Sequence, residues 1–172
     1  MVIVRYAESN GYAFDGDRPF AWHYRDFIIR ALNSDMPYDE FVRLQIAGDL
    51  LTNTDVQTAD ESKTAIDHIA ATGFVVAGPY TTQQTQKERE RSRYEQLDDM
   101  IGTIGTSLLG LTVGCARCHN HKYDPLPQFE YYRMASVFAD VGFSNTGINS
   151  QPEVYHDAKA KYESEHGPLV AA

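Results

Sequence analysis

Cysteine is scarce in this chain, with two residues in 172, at positions 115 and 118. A zinc module built from two separated cysteine hairpins is therefore excluded, because nothing remains for a second hairpin. Positive charge is also short: 15 Lys and Arg stand against 24 Asp and Glu, a formal charge of −9. Such a surface repels phosphate backbones and anionic lipid, which excludes nucleic-acid and membrane-surface binding and asks for partners with basic patches. No apolar run approaches the length of a membrane-spanning helix. No Gly-rich phosphate loop and no Ser/His/Asp arrangement stands out. Internal repeats and alternating strand patterns are missing too, so the remaining fold class is mainly α.

What is present is one string, Cys115-Ala116-Arg117-Cys118-His119. C-x-x-C-H is the c-type haem attachment signature. Two thioethers tether the porphyrin while the adjacent imidazole binds its iron, so Cys115 and Cys118 are the expected attachment points and His119 the proximal ligand. The abundance of aromatic residues, 11 Tyr and 8 Phe, suits a site that wraps a large flat cofactor. Three other chemistries compete. Zinc held by Cys115, Cys118, His119 and His121 has the four donors of a tetrahedral site, but all four come from seven consecutive residues. A small disulfide needs only the two cysteines. A redox dithiol would sit at a strand-to-helix turn in a βαβ setting, and no such setting is visible.

The sixth iron position would separate electron transfer from ligand chemistry. His121 lies too close in sequence to His119 to reach the opposite face of one macrocycle. It is better suited to bonding a propionate, supporting its neighbour, or holding a separate metal. Met100 and Met134 are candidate distal thioethers, set against the plainer reading of gap-filling core methionine. His23 and His68 offer bis-imidazole ligation, against the plainer reading of ordinary histidines. His156 and His166 fall in the tail. Arg117 and Lys122 flank the motif as propionate partners or as solvated charges. Asp124, before Pro125, is expected to cap the next helix rather than to fix an imidazole.

Around the motif, apolar spacing predicts several helices. One runs from Pro19, at a first helical position, to about Asn33, with Phe20, Tyr24, Phe27, Ile28 and Ala31 on one face. A second runs from Tyr38 to near Gly48. The polar stretch 53–62 reads as exposed chain, and a short helix follows from Lys63 to Ala71. Residues 78–90 read as a mobile insert or as the solvated start of the longest helix. That helix, 90–112, carries Leu97, Met100, Ile101, Ile104, Leu108 and Leu111 as a continuous stripe. Gly102, Gly105 and Gly110 interrupt it and point to close approach of a backbone or a flat ring. A helix over Gln128–Ala139 follows, then a Gly/Asn/Ser-rich loop, then a polar helical segment over Glu153–Glu165. The expected division is a haem-c-binding domain over 1–150 and a loosely attached tail over 151–172. The 90–112 and 128–139 helices are expected to wall the haem pocket.

The stretch from Gly110 through Cys115 and Cys118 to His121-Lys122-Tyr123-Asp124-Pro125 closely resembles the core motif of a cytochrome-like domain of unknown function found in large exported planctomycete proteins. Arg5-Tyr6-Ala7-Glu8-Ser9-Asn10-Gly11, Tyr24-Arg25-Asp26, Met36-Pro37-Tyr38-Asp39, Ala47-Gly48-Asp49-Leu50-Leu51, Ala71-Thr72-Gly73-Phe74 and Tyr131-Tyr132 match in order. The resemblance covers about residues 4–140 and implies an exported protein with a haem-c-like motif, set among other cytochrome-like domains. The family's helix before the Arg-Tyr-Ala stretch is replaced here by Met1-Val2-Ile3. An oligomer or a neighbouring domain is the expected cover for that end.

Together these readings predict an irregular, mainly α domain with long loops wrapped around one covalently attached haem c. Its expected role is single-haem extracytoplasmic electron transfer to a redox partner protein with a basic docking patch. It is expected to be a carrier more than a catalyst. Met1-Val2-Ile3-Val4 carries no secretory pattern, so the chain is expected to be a mature or excised piece. The alternatives are a redox-inert binding or structural domain with zinc or a disulfide, and a five-coordinate haem that senses gases or acts like a peroxidase.

Overall fold

Short capping signals decide where the helices begin. The structure, a computed structural model, describes residues 1–11, 15–53, 55–81, 85–144, 146–148 and 150–170, with side chains to 164. The readings made for Tyr12, for the Gln/Thr run at 82–84, for Asn145 and Asn149, for the His166 side chain and for Ala171–Ala172 lie outside them. Among the described residues the fold is all helix and loop, mainly α as expected, with one isolated bridge between Ser9 and Asp17. No described helix is long and apolar enough to cross a membrane.

Helix α1 covers Trp22–Asn33, and its buried face is Tyr24, Phe27 and Ala31, at the 3-then-4 spacing of one helical stripe. It starts later than Pro19 because Arg18 is occupied elsewhere. The Arg18 guanidinium bonds the carbonyls of Ala77 at 3.0 Å and Gly78 at 2.7 Å, and a turn over 18–21 precedes the helix. Phe20 stays outside the helix and more than half exposed. Helix α2, Tyr38–Ala47, follows the extended Pro37 and buries Leu44 and Gln45. Gln45 is satisfied there by the Tyr24 hydroxyl, which donates to Oε1 at 2.9 Å.

Helix α3 spans Ala59–Ala71, four residues earlier than its apolar pattern foretells. Thr58 and Glu61 form a reciprocal capping box, which satisfies two first-turn donors and carries the helix back into the polar stretch. The single turn α4, Gly73–Val76, buries Phe74 and Val75. Helix α5, Gln86–Ile104, starts on a second capping box from Thr85 and Glu88. Of the two readings of 78–90, its described residues from Gln86 onward are the charged, solvated start of the longest helix.

The predicted 90–112 helix does not continue as α. It passes at Gly105 into a π turn, Gly105–Leu109, which ends on Gly110 at φ +65°. A Cβ on Gly105 would lie 2.5 Å from a Val113 methyl, so this glycine is where the chain doubles back tightly on the helix end. No neighbour crowds Gly102. A 3₁₀ turn, Val113–Arg117, leads to α6, Gln128–Val137, and the last helix is α7, Pro152–Val170. The core runs continuously from Tyr24, Phe27 and Leu44 through Phe74 to Met100, Ile101, Val113, Ala116, Tyr131 and Phe138. Helix α5 is its spine and packs on α4, α6 and the 3₁₀ turn. Helix α7 rests on α3, with Pro152 fully buried.

Gly48 closes α2 against α3. A Cβ there would stand 2.1 Å from the His68 carbonyl oxygen and 2.5 Å from that of Leu44, both backbone atoms with nowhere to go. Gly48→Ala is therefore expected to lower folding stability by about 1–3 kcal/mol through overpacking. Urea unfolding measures it, and an unchanged midpoint would show that the helices are not in such close contact.

Candidate functional site

The 3₁₀ turn determines how the two thiols are presented. Side chains three apart eclipse in such a turn, so Cys115 and Cys118 stand on the same side. Both are exposed and not joined to each other, while Ala116 between them is fully buried. Arg117 points outward to α5, where its Nη1 lies 2.9 Å from Asp98 Oδ2. The other oxygen of Asp98 accepts from the Tyr131 hydroxyl on α6 at 2.7 Å. One carboxylate thus ties the motif to two helices. The neighbouring Asp98 charge raises Arg117 above its ordinary pKa, and burial, then the bond to Asp98, pushes the Tyr131 phenol well up.

The carbonyl of Arg117 is fixed as well. It accepts from Gln128 Nε2 at 3.1 Å and from the Tyr132 hydroxyl at 3.0 Å. The expected cap on α6 is not made by Asp124. The first amide of that helix donates instead to Asn120 Oδ1 at 2.8 Å. Asn120 is better placed because it leaves the motif toward the helix start. Asp124 turns back over His121, with its carboxylate 3.3 Å from Nδ1.

The two histidines near the cysteines adopt opposite tautomers, assigned from their partners. His119 Nδ1 lies 2.8 Å from the Asn120 carbonyl oxygen. A carbonyl only accepts, so this nitrogen carries the proton and the lone pair resides on Nε2. The ring is exposed. His121 Nδ1 accepts from the backbone amides of Asp124 at 2.9 Å and Tyr123 at 3.3 Å. Its Nε2–H then faces Thr112 Oγ1 at 2.9 Å, with the side chain only 8% exposed. His119 is an available ligand held in one orientation. His121 is consumed in folding the loop.

The other candidates lie apart from this surface. Met100 is a core residue, 1% exposed, and Met134 packs against the same core from α6. Lys122 stretches over the Tyr123 ring at 5.1 Å. His23 stacks on Trp22, His68 bonds Thr52 at 3.0 Å, and His156 bonds the Val56 carbonyl at 3.4 Å. Among the described residues no group of three or more His, Cys, Asp or Glu side chains is arranged to hold a metal ion. A zinc site would need His121, whose two ring nitrogens are already spent. The haem donor set fits better: two same-sided open thiols beside an imidazole with a free Nε2. Sequence reasoning missed Asp98, Tyr131, Asn120 and Thr112 as parts of this site. A carboxylate following Leu97 at the edge of an apolar stripe was the available signal for Asp98, because such a group demands a partner.

Two outcomes follow. Asp98→Ala removes the carboxylate that holds both Arg117 and Tyr131. The Arg117 pair is partly exposed and counts for little, so the expected loss is about 1–2 kcal/mol, mostly from the tyrosine bond. Amide exchange at Ala116 and Arg117 should quicken, and unchanged exchange would mean that the turn stands without the carboxylate. Burial also holds the phenols of Tyr24 and Tyr131 protonated above their ordinary range. Their folded pKa lies above the unfolded one, so this stabilisation is complete below about pH 10 and is lost as pH rises through the folded value. Ultraviolet titration should show these two ionising only as the protein unfolds. Ionisation together with the other tyrosines in the native state would contradict their burial.

No curated protein and no solved structure matches the chain. A family described as PSCyt2, protein of unknown function (DUF1549), matches residues 1–142. That span includes the Arg5 stretch, all of α1–α6 and the cysteine motif, and the chain belongs to this family.

Proposed function

We propose that the chain is a single-haem c-type cytochrome domain acting in extracytoplasmic electron transfer. Cys115 and Cys118 would form the thioethers and His119 Nε2 would bind the iron. The observation that carries this reading is the contrast between the two histidines. His119 donates its Nδ1–H to a backbone carbonyl and keeps its other nitrogen free, directly beside two exposed thiols. A proximal imidazole needs that tautomer. The haem, when bound, supplies a one-electron iron couple, and the chain supplies ligand, orientation and charge. Asp98, Tyr131, Tyr132, Gln128 and Asn120 hold the attachment turn in place before any ligand arrives. The acidic surface selects a redox partner with a basic patch.

Burial of Met100 favours a second reading of the sixth position. If no thioether reaches the iron, the site stays five-coordinate and binds small gases. Spin state separates the two, since an open site is high-spin and takes up carbon monoxide when reduced.

The test is protein matured in a periplasm competent for haem c attachment, read by pyridine haemochrome spectrum and by denatured intact mass. One haem should remain covalently bound. Cys115→Ser with Cys118→Ser should abolish attachment, and His119→Ala should keep the mass while changing the spectrum. Colourless protein with free or mutually bridged thiols would end the proposal.

A further inference from the structure

Helix α6 turns one aromatic face to the solvent, and that face begins at the attachment turn. At 100° per residue, Gln128, Tyr132, Ser136, Phe129 and Arg133 fall within an arc of about 140°. Tyr131 and Phe138 lie on the opposite side, in the core. The arc lines a shallow, widely open depression on the protein surface. Phe129 and Tyr132 are each 53% exposed, although neighbours on one helix face. A second cleft, between Val56 and Tyr155 of α7, shares no residue with the motif.

Resting on the haem reading, we propose that this face of α6 is the bed for the porphyrin tethered at Cys115 and Cys118, with Phe129 and Tyr132 against the ring and Arg133 as a propionate partner. Continuity carries the assignment. Tyr132 and Gln128 both donate to the Arg117 carbonyl, the link lying between the two cysteines. A ring bonded to both thiols therefore starts beside these side chains. Aromatic groups stack on flat conjugated rings, and an arginine matches a carboxylate with two parallel donors. Arg133 is ready for that role. Its guanidinium lies 4.8 Å from the Phe129 ring, and its bond to Glu130 is an exposed i,i+3 pair that costs little to exchange. Arg117 is the less available cation, because Asp98 and the helix-bound turn hold it.

Holoprotein variants Phe129→Glu, Phe129→Trp and Arg133→Gln test the bed, with Leu32→Gln, on the exposed side of α1, as a control. All three positions are at the surface of the protein, so far-ultraviolet dichroism should stay unchanged. Phe129→Glu should alter the induced Soret dichroism while haemochrome and mass still report one covalent haem, and Phe129→Trp should restore it. Arg133→Gln should lower the reduction potential and move its pH dependence to higher pH, because a cation beside a propionate favours the reduced iron and keeps the propionate ionised. The control should do neither. If haem is attached and neither the Soret dichroism nor the potential responds, the ring lies elsewhere: the bed is overturned and the cytochrome reading stands. If only the rate of electron transfer to a partner changes, the face is a protein docking surface and the bed is likewise overturned. Wild-type protein without covalent haem removes both.

Discussion

Asp98 and Asp99 leave α5 about 100° apart, and between them they fasten three pieces of chain to this helix. Asp98 takes the attachment turn through Arg117 and α6 through Tyr131. Asp99 takes the N-terminal segment through Arg5, at 2.8 Å. Burial pushes Asp99 above the ordinary carboxylate range, Arg5 opposes that, and the adjacent Asp98 adds to it. Arg5 is itself lowered by burial, and its backbone is held at φ +55°, a costly conformation for a residue with a side chain. Gly78 completes the arrangement, because a Cβ there would occupy the position of the Asp99 carboxylate, 1.8 Å away. The first ten residues thus belong to the same fold as the cysteine motif.

Helix α6 is secured at both ends by side chains from elsewhere. Asn120 satisfies its first amide, and Arg93 of α5 donates to the Phe138 and Ala139 carbonyls at its end. The amide is one of the orphan groups that every helix must place, and the two carbonyls belong to the turn just past Val137. His121 performs a similar task for the loop between, satisfying two backbone amides that no helix uses. Order in this region comes from polar cross-links laid over a small apolar base of Val113, Ala116, Leu126 and Tyr131. That differs from the α1–α4 half, where aromatic packing dominates. A loop fixed in this way loses little further entropy when it takes a ligand.

Much of the fold was legible because apolar periodicity is a direct record of burial. The faces of α1 and the second half of α5 follow their stripes closely, whereas α2 buries Leu44 together with the polar Gln45. Helix starts were harder. The α3 boundary was hidden in Thr58-Ala59-Asp60-Glu61, a capping box that reads as exposed polar chain unless hydrogen bonds are counted. Pro19 misled because Arg18 has a tertiary duty that no local rule reveals. The end of the long helix was foreshadowed by its glycines, yet which glycine did what depended on where Val113 returns. At the site, the motif announced its three residues, whereas Asp98 and Asn120 act across long separations or through a cap position usually filled by the residue before the helix. The tautomers of His119 and His121 follow from partners only the folded loop supplies.

The open stance of the two thiols has a cost before it has a use. Cys115 and Cys118 are exposed, three residues apart and not joined, so in an oxidising compartment they are natural partners for each other, and a bridge between them would foreclose every other bond they might form. Maturation under the haem reading is then a race between capture and oxidation. On that reading, the balance between attachment and oxidation would turn on how soon a reductant meets the exposed thiols.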